Sequence, residues 1–121
     1  MSPPRLVLAS TSTYRADLLR RLGLSFSQVS PPFDENQFKI NFSGSPQELA
    51  EKLSFNKGQS VHHLAEYSQD VILSGDQLVN FQGRILGKTP TRDQALQQLL
   101  LLSGKTHELI TCCHLFRGSE V

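Results

Sequence analysis

The 121 residues predict a mixed α/β domain, and three observations carry that prediction. An apolar run, Leu6-Val7-Leu8-Ala9, passes through a hydroxyl cluster into leucines 18, 19 and 22, which share one helical face. Two helix starts are marked by capping sequences, Ser45-Pro46-Gln47-Glu48 and Thr91-Arg92-Asp93-Gln94. Between and after them lie short β-rich runs, one of them a hairpin pattern.

Taken in order, the first strand is expected at about Arg5 to Ala9 and the first helix at about Thr13 to Leu22, with Gly23 as its stop. Ser12 or Thr13 is the candidate cap. Phe26 to Ser30 reads as a second strand, ended by Pro31-Pro32. The stretch from Phe33 to Gly44 reads as a loop. The Ser45 capping box, with proline at the first helical position, opens a helix to about Ala65, with Leu49, Leu53, Val61 and Leu64 on its buried face. Val71 to Leu73 is a short buried strand leading into Ser74-Gly75-Asp76-Gln77. Leu78 to Phe81 and Arg84 to Leu86 form a hairpin around Gln82-Gly83. The last helix carries Ala95, Leu99 and Leu102 and ends at Ser103-Gly104. Thr106 to Phe116 is a long final strand. The expected order is β-α-β-α-β-β-β-α-β, a single domain over residues 1–121.

Composition narrows the function. The net charge is +1 and no dense Lys/Arg run is present, which argues against wholesale binding to nucleic-acid backbone. No stretch approaches a membrane span, so no membrane partner is expected. The two cysteines, Cys112 and Cys113, are adjacent, a poor geometry for a bridge. They read as two hydrophobic thiols on a strand in a reduced, cytoplasmic protein.

The first turn is the strongest candidate for chemistry. A helix start with free N–H groups, with Ser10 and Ser12 nearby and Arg15 in its first turn, suits a phosphate. An ordinary capped turn with Arg15 in a surface ion pair accounts for the same residues. Asp34-Glu35 are paired carboxylates, or simply a solvated loop. Lys57 lies mid-helix, where a surface lysine is the usual case. Asp76 ends an apolar run, where α/β proteins place ligands and metals, or else it is a turn residue. Lys88 sits in Gly-Lys-Thr-Pro, which lacks the spaced glycines of a P-loop. His107 and His114 are expected on opposite faces of the last strand, and His62 and His63 exposed on a helix. Together these groups make the mix that triphosphate chemistry needs: cations for the polyanion, carboxylates for a divalent metal, and one carboxylate to orient or deprotonate water.

The segment Leu8 to Arg15, followed in order by Asp34-Glu35, Lys57, Gly75-Asp76-Gln77, Gly87-Lys88-Thr89-Pro90 and Leu102-Ser103-Gly104 with His107 and Thr111, resembles the Maf family of nucleotide pyrophosphatases. The resemblance implies a Maf/ITPase-like mixed sheet flanked by helices, and hydrolysis of a nucleoside triphosphate to monophosphate and pyrophosphate with Mg²⁺ or Mn²⁺. It implies Asp76 as proton acceptor and metal ligand, with Glu35 also on the metal. Ser10, Ser12, Arg15, Lys57 and Lys88 would bind substrate. Tyr14 and Gln77 resemble the branch that prefers 7-methyl-GTP, where the dTTP/UTP branch shows arginine and Asp-Thr. Thr13 stands where the family usually has proline. The family pattern continues through a second half beyond Val121, so the sheet is expected to be incomplete at the C-terminus and to favour a homodimer. The alternatives are a nucleotide-binding module without turnover, a regulatory role in cell division, and a dTTP/UTP pyrophosphatase.

Overall fold

The structure is a computed structural model that describes residues 4–121. Its elements are β1 (Leu6–Ala9), α1 (Thr13–Arg21), β2 (Ser27–Val29), α2 (Glu35–Asn41), α3 (Pro46–His62), a short 3₁₀ turn (Ala65–Tyr67), β3 (Val71–Phe81), β4 (Arg84–Leu86), α4 (Arg92–Leu102) and β5 (Glu108–Phe116). The mixed α/β class holds. Two details differ from the expected order, and both bear on the site.

First, Phe33 to Gly44 is not all loop. Asp34 accepts a hydrogen bond from the Gln37 amide and starts α2, and Phe38 and Phe42 repeat at helical spacing against the core. Second, the run through Ser74-Gly75-Asp76-Gln77 is no turn. β3 continues unbroken for 11 residues, because β5 pairs with it from Ile72 to Asn80 and takes up the backbone groups of that segment.

β3 is the centre of the sheet. β1 pairs parallel with its first residues, Val71 to Leu73, and β2 lies parallel beyond β1. β4 pairs antiparallel with its last residues, Val79 to Phe81. β5 occupies one edge of β3 along nearly its whole length, so β1 and β4 must share the other edge. Between them, among the described residues, the segment Ser74 to Leu78 has no strand neighbour on that edge. The chain order adds a second reason for an opening here. It runs outward from β1 through α1 to β2, then returns past β1 through α3 to β3. That reversal is a topological switch point, where a crevice opens at the strand ends.

α3 covers one face of the sheet. Its capping box is complete: the Glu48 amide donates to Ser45 Oγ and the Ser45 amide to Glu48 Oε1. Two apolar clusters form beneath it. One joins Val7, Ala9, Val61, Ile72 and Phe116; the other joins Leu49, Ala50, Leu53 and Leu78, with Phe38 and Ile110 against it. Gly58 lets the Phe116 ring pass directly under the helix, since a methyl group there would overlap both the ring and Ser74 Oγ. Leu64, expected on the buried face, is half-buried beyond the helix end.

The opposite face is open. Leu109, Cys113 and Leu115 on β5 are exposed. α4 is capped by Thr91, but it buries no residue, and Leu99, expected in the core, is 66% exposed. The two cysteines therefore differ: Cys112 points half-buried into the α3 side, where burial pushes its thiol above the usual range, and Cys113 points outward. His107 precedes β5 rather than lying on it. His62 is half-buried, with its Nε2 2.7 Å from the Gly118 carbonyl oxygen, and His63 is exposed.

Candidate functional site

The opening at the free edge of β3 is the mouth of a cleft of about 730 Å³. The residues that the family resemblance assigns to substrate, metal, catalysis and specificity all border it: Ser10, Ser12, Tyr14, Arg15, Glu35, Lys57, Asp76, Gln77 and Lys88. Residues spread over 79 positions of the chain meet at one place because the switch point gathers the ends of β1 and β3 with the loop after β4.

The β1–α1 turn is built around Ser10 and Ser12. The buried Ser10 Oγ accepts from the Ser12 amide at 3.1 Å and from Arg15 Nη1 at 3.4 Å. Ser12 caps α1, accepting from the Arg15 amide at 3.2 Å. Gln28 of β2 ties the turn down from behind, donating to the Ser10 and Ser12 carbonyls. Arg15 lies across Gly75, where a Cβ would stand 3.5 Å from its Nε and 3.3 Å from the Cys112 carbonyl. Only the carbonyl contact would be tight, so glycine at 75 eases the packing of β3 against β5, and the guanidinium rests over it at ordinary contact distance. Among the described residues Arg15 has no carboxylate partner, so its charge faces the cleft rather than a surface ion pair.

On the α3 side the charges form a chain. Lys39 Nζ is 3.3 Å from Glu35 Oε1, Lys57 Nζ is 3.2 Å from Glu35 Oε2, and the same Nζ donates to Asp76 Oδ1 at 2.9 Å. Lys57 is no surface lysine: its side chain is 13% exposed and bridges two carboxylates. Asp76 is no turn residue: it sits mid-strand in β3 with its side chain 6% exposed. Burial between the two apolar clusters raises its pKa, and that effect outweighs the opposing pull of Lys57. Burial acts in the same direction on Glu35, but there the charges of Lys57 and Lys39 outweigh it and the net shift is downward. Asp76 Oδ2 is buried and has no hydrogen-bond partner among the described residues.

That orphaned oxygen tests the fit of a divalent metal. Among the described residues no three His, Cys, Asp or Glu side chains cluster as a closed metal site. Two carboxylates with one unsatisfied oxygen do suit Mg²⁺ or Mn²⁺, which are held by one or two carboxylates with water and phosphate completing the shell. Glu35 and Asp76 are the residues that would hold it.

Lys88 is exposed at the far wall, with Ile85 and Leu86. Tyr14 is 72% exposed at the rim and is not packed into the core beside Leu18. Gln77 follows Asp76 on a strand, so the two side chains leave opposite faces while both border the free edge. Asp34 stays out of the site as the cap of α2. Lys39 and the leucine wall of Leu8, Leu18, Leu19 and Leu73 also line the cleft, and Gln28 braces its first turn, though no motif in the sequence marks them. The only sequence signal for Lys39 is its place four residues after Glu35, and that signal counts only once the segment is a helix.

A family model described as "Maf-like protein" matches residues 5–121. A 7-methyl-GTP pyrophosphatase of Bdellovibrio bacteriovorus is 44% identical over 99% of this chain and 61% of its own length. Another from Pseudomonas aeruginosa is 39% identical over 89% of this chain and 54% of its own. A dTTP/UTP pyrophosphatase of Symbiobacterium thermophilum is 36% identical over 96% and 57%. The chain thus spans between half and two-thirds of these relatives. A solved nucleoside-triphosphatase (dITP/XTP pyrophosphatase) of Mycobacterium abscessus overlays 97% of the chain and 66% of its own at TM-score 0.49 and 14% identity, a likeness too loose to bear on the site.

Proposed function

The chain belongs to the Maf family, and from that premise we propose that its cleft hydrolyses a nucleoside triphosphate, 7-methyl-GTP by preference, to the monophosphate and pyrophosphate. The observation that carries the reading is the convergence of Arg15, Lys57 and Lys88 with one buried, proton-seeking carboxylate at a single crevice.

The phosphates enter at the start of α1, where amide N–H groups, Ser12 and Arg15 meet negative charge. Water attacks the α-phosphorus in line and pyrophosphate leaves. The Asp76 carboxylate takes the proton, held in place by Lys57 through Oδ1, and its Oδ2 has no protein partner among the described residues. Its raised pKa strengthens it as a base relative to an exposed aspartate. Arg15 and Lys88 meet the charge that develops on the phosphates. Glu35 and Asp76 would hold a Mg²⁺ or Mn²⁺, which would supply further charge neutralisation and lower the pKa of water. The base lies toward Tyr14 and Gln77. A guanine methylated at N7 is cationic, and an exposed tyrosine ring at the rim suits it; Gln77 offers a donor and an acceptor to a base edge. No described helix is long and apolar enough to cross a membrane. Two free thiols fit a reduced, cytoplasmic setting. Self-association through β5 belongs to the same reading, because among the described residues β5 pairs with β3 alone.

The test is pyrophosphate release from a panel of 7-methyl-GTP, GTP, dTTP and UTP with Mg²⁺. Expected are preference for 7-methyl-GTP, a loss of at least about 10²-fold in Asp76→Asn, and a weakened preference in Tyr14→Arg with the fold intact. Release of orthophosphate alone, or an unimpaired Asp76→Asn, sinks the mechanism. Preference for dTTP and UTP moves the chain to the activity named for its Symbiobacterium relative. Nucleotide-induced thermal stabilisation without any turnover leaves a binding module.

A further inference from the structure

We propose that Lys39 is a second-position phosphate ligand, paired with Glu35 in the structure and exchanged onto the polyphosphate chain when a triphosphate binds. The inference rests on the reading that the cleft takes a triphosphate.

The two lysines on Glu35 are not equivalent. Lys57 is held at both ends, by Glu35 Oε2 and Asp76 Oδ1, and is 13% exposed. Lys39 has one carboxylate partner among the described residues, Glu35 Oε1 at 3.3 Å, and is 42% exposed. A single solvent-facing pair one helical turn apart is weak and easily exchanged. Its backbone is not free to move in the same way. The neighbouring Phe38 packs into the apolar cluster under α3 and lies 5.7 Å from both Phe33 and Phe42, ring centre to ring centre. α2 is thus anchored, and the mobile part of Lys39 is its four-carbon stem.

Lys39 also borders the same cleft as Arg15 and Lys88. A triphosphate carries more negative charge than those two cations can meet, and Lys57 is already committed to two carboxylates. Lys39 is the remaining ammonium within the cleft whose present contact is weaker than a charge-assisted bond to phosphate. Its departure would leave Glu35 Oε1 with lone pairs for a cation arriving with the nucleotide, while Oε2 stays on Lys57.

Calorimetric titration in metal-free buffer with inorganic tripolyphosphate and orthophosphate tests this without turnover and without a base. Lys39→Met is expected to weaken tripolyphosphate about tenfold, one charge-assisted contact, and to leave orthophosphate within about twofold. Lys39→Arg should restore most of the loss. Glu35→Gln releases Lys39 from its partner, so it should tighten tripolyphosphate in the wild-type background and do so less in Lys39→Met, a non-additive pair. Equal tripolyphosphate affinity in wild type and Lys39→Met, or strict additivity of the two substitutions, overturns the exchange while leaving the proposed activity standing. If the wild type binds neither probe, the polyphosphate reading fails and this inference falls with it.

Discussion

The two faces of the sheet are built in opposite ways. Toward α3, apolar clusters close above and below a polar layer in which each side chain has a partner: Ser74 donates to the Ser54 carbonyl, Ser54 Oγ meets His114 Nδ1 at 2.8 Å, and Lys57 bridges Glu35 and Asp76. On the opposite face Leu109 and Leu115 of β5 stand exposed, as do Leu96 and Leu99 of α4. The closed face holds Glu35, Lys57 and Asp76 in one linked chain of charges. The open face supplies surface. The contrast teaches where substitutions should be felt: chemistry and stability depend on the first, and recognition and association on the second.

The largest expected effect is on stability, at Phe116. This ring is 1% exposed, runs under Gly58, and lies 5.5 Å from Phe55 and 6.3 Å from His114 between ring centres. Phe116→Ala should cost about 3–5 kcal/mol, since it removes transfer energy and leaves a cavity that rigid neighbours cannot fill. Leu99→Ala, of comparable apolar type on the open side, should stay within about 0.5 kcal/mol. Urea unfolding of both variants measures the contrast. Similar losses would mean that the open side is packed in solution and the comparison is wrong.

A second, smaller effect separates two carboxylates within the closed face. Glu35 has a folded pKa below its ordinary value, so it contributes stability above that value which is lost as pH falls through the folded pKa. Asp76 has a raised folded pKa, so its contribution has the opposite sign: it is fully present below the ordinary aspartate range and is lost as pH rises through the folded pKa. Between about pH 3 and pH 6, around the ordinary carboxylate values, the two slopes oppose each other. Glu35→Gln should flatten the rise of stability with pH, and Asp76→Asn should steepen it. Unfolding curves across that range check the signs. A flattening by Asp76→Asn would show that Lys57 dominates burial at that carboxylate.

The sequence made the site legible further than the fold around it. Strand, turn and helix at Leu6 to Leu22 could be read locally, because hydrophobic period and cap chemistry are local properties. The ordered motifs of the Maf resemblance named nine cleft residues that the structure brings together. What stayed hidden depends on partners distant in the chain. Gly75 looks like a turn until β5 supplies hydrogen bonds across it. Lys57 looks like a surface residue until Asp76 is placed beside it. α2 is short, and its Phe38 and Phe42 gain their meaning from the α3 cluster, so propensity alone could not raise it above loop. The leucines of α4 show the reverse: their pattern predicts burial, and none of them is buried.

The smallest effect on folding should be the largest on assembly. β5 presents to one side a backbone edge with no strand partner among the described residues, and toward the open face it presents Leu109 and Leu115, 61% and 56% exposed. Its sequence, ELITCCHLF, contains neither proline nor lysine, the residues that usually blunt an edge. A second copy can pair antiparallel with such an edge about a two-fold axis, each protomer using the same residues. Replacing both leucines by serine removes apolar contact without touching the α3 side. The double variant should change unfolding stability of the monomer by no more than about 0.5 kcal/mol per site, yet shift light-scattering mass at high concentration from dimer toward monomer. A wild-type chain that remains monomeric throughout would remove self-association from the reading. A double variant that unfolds would instead assign those leucines to the core, and the two faces would no longer differ in the way their exposure indicates.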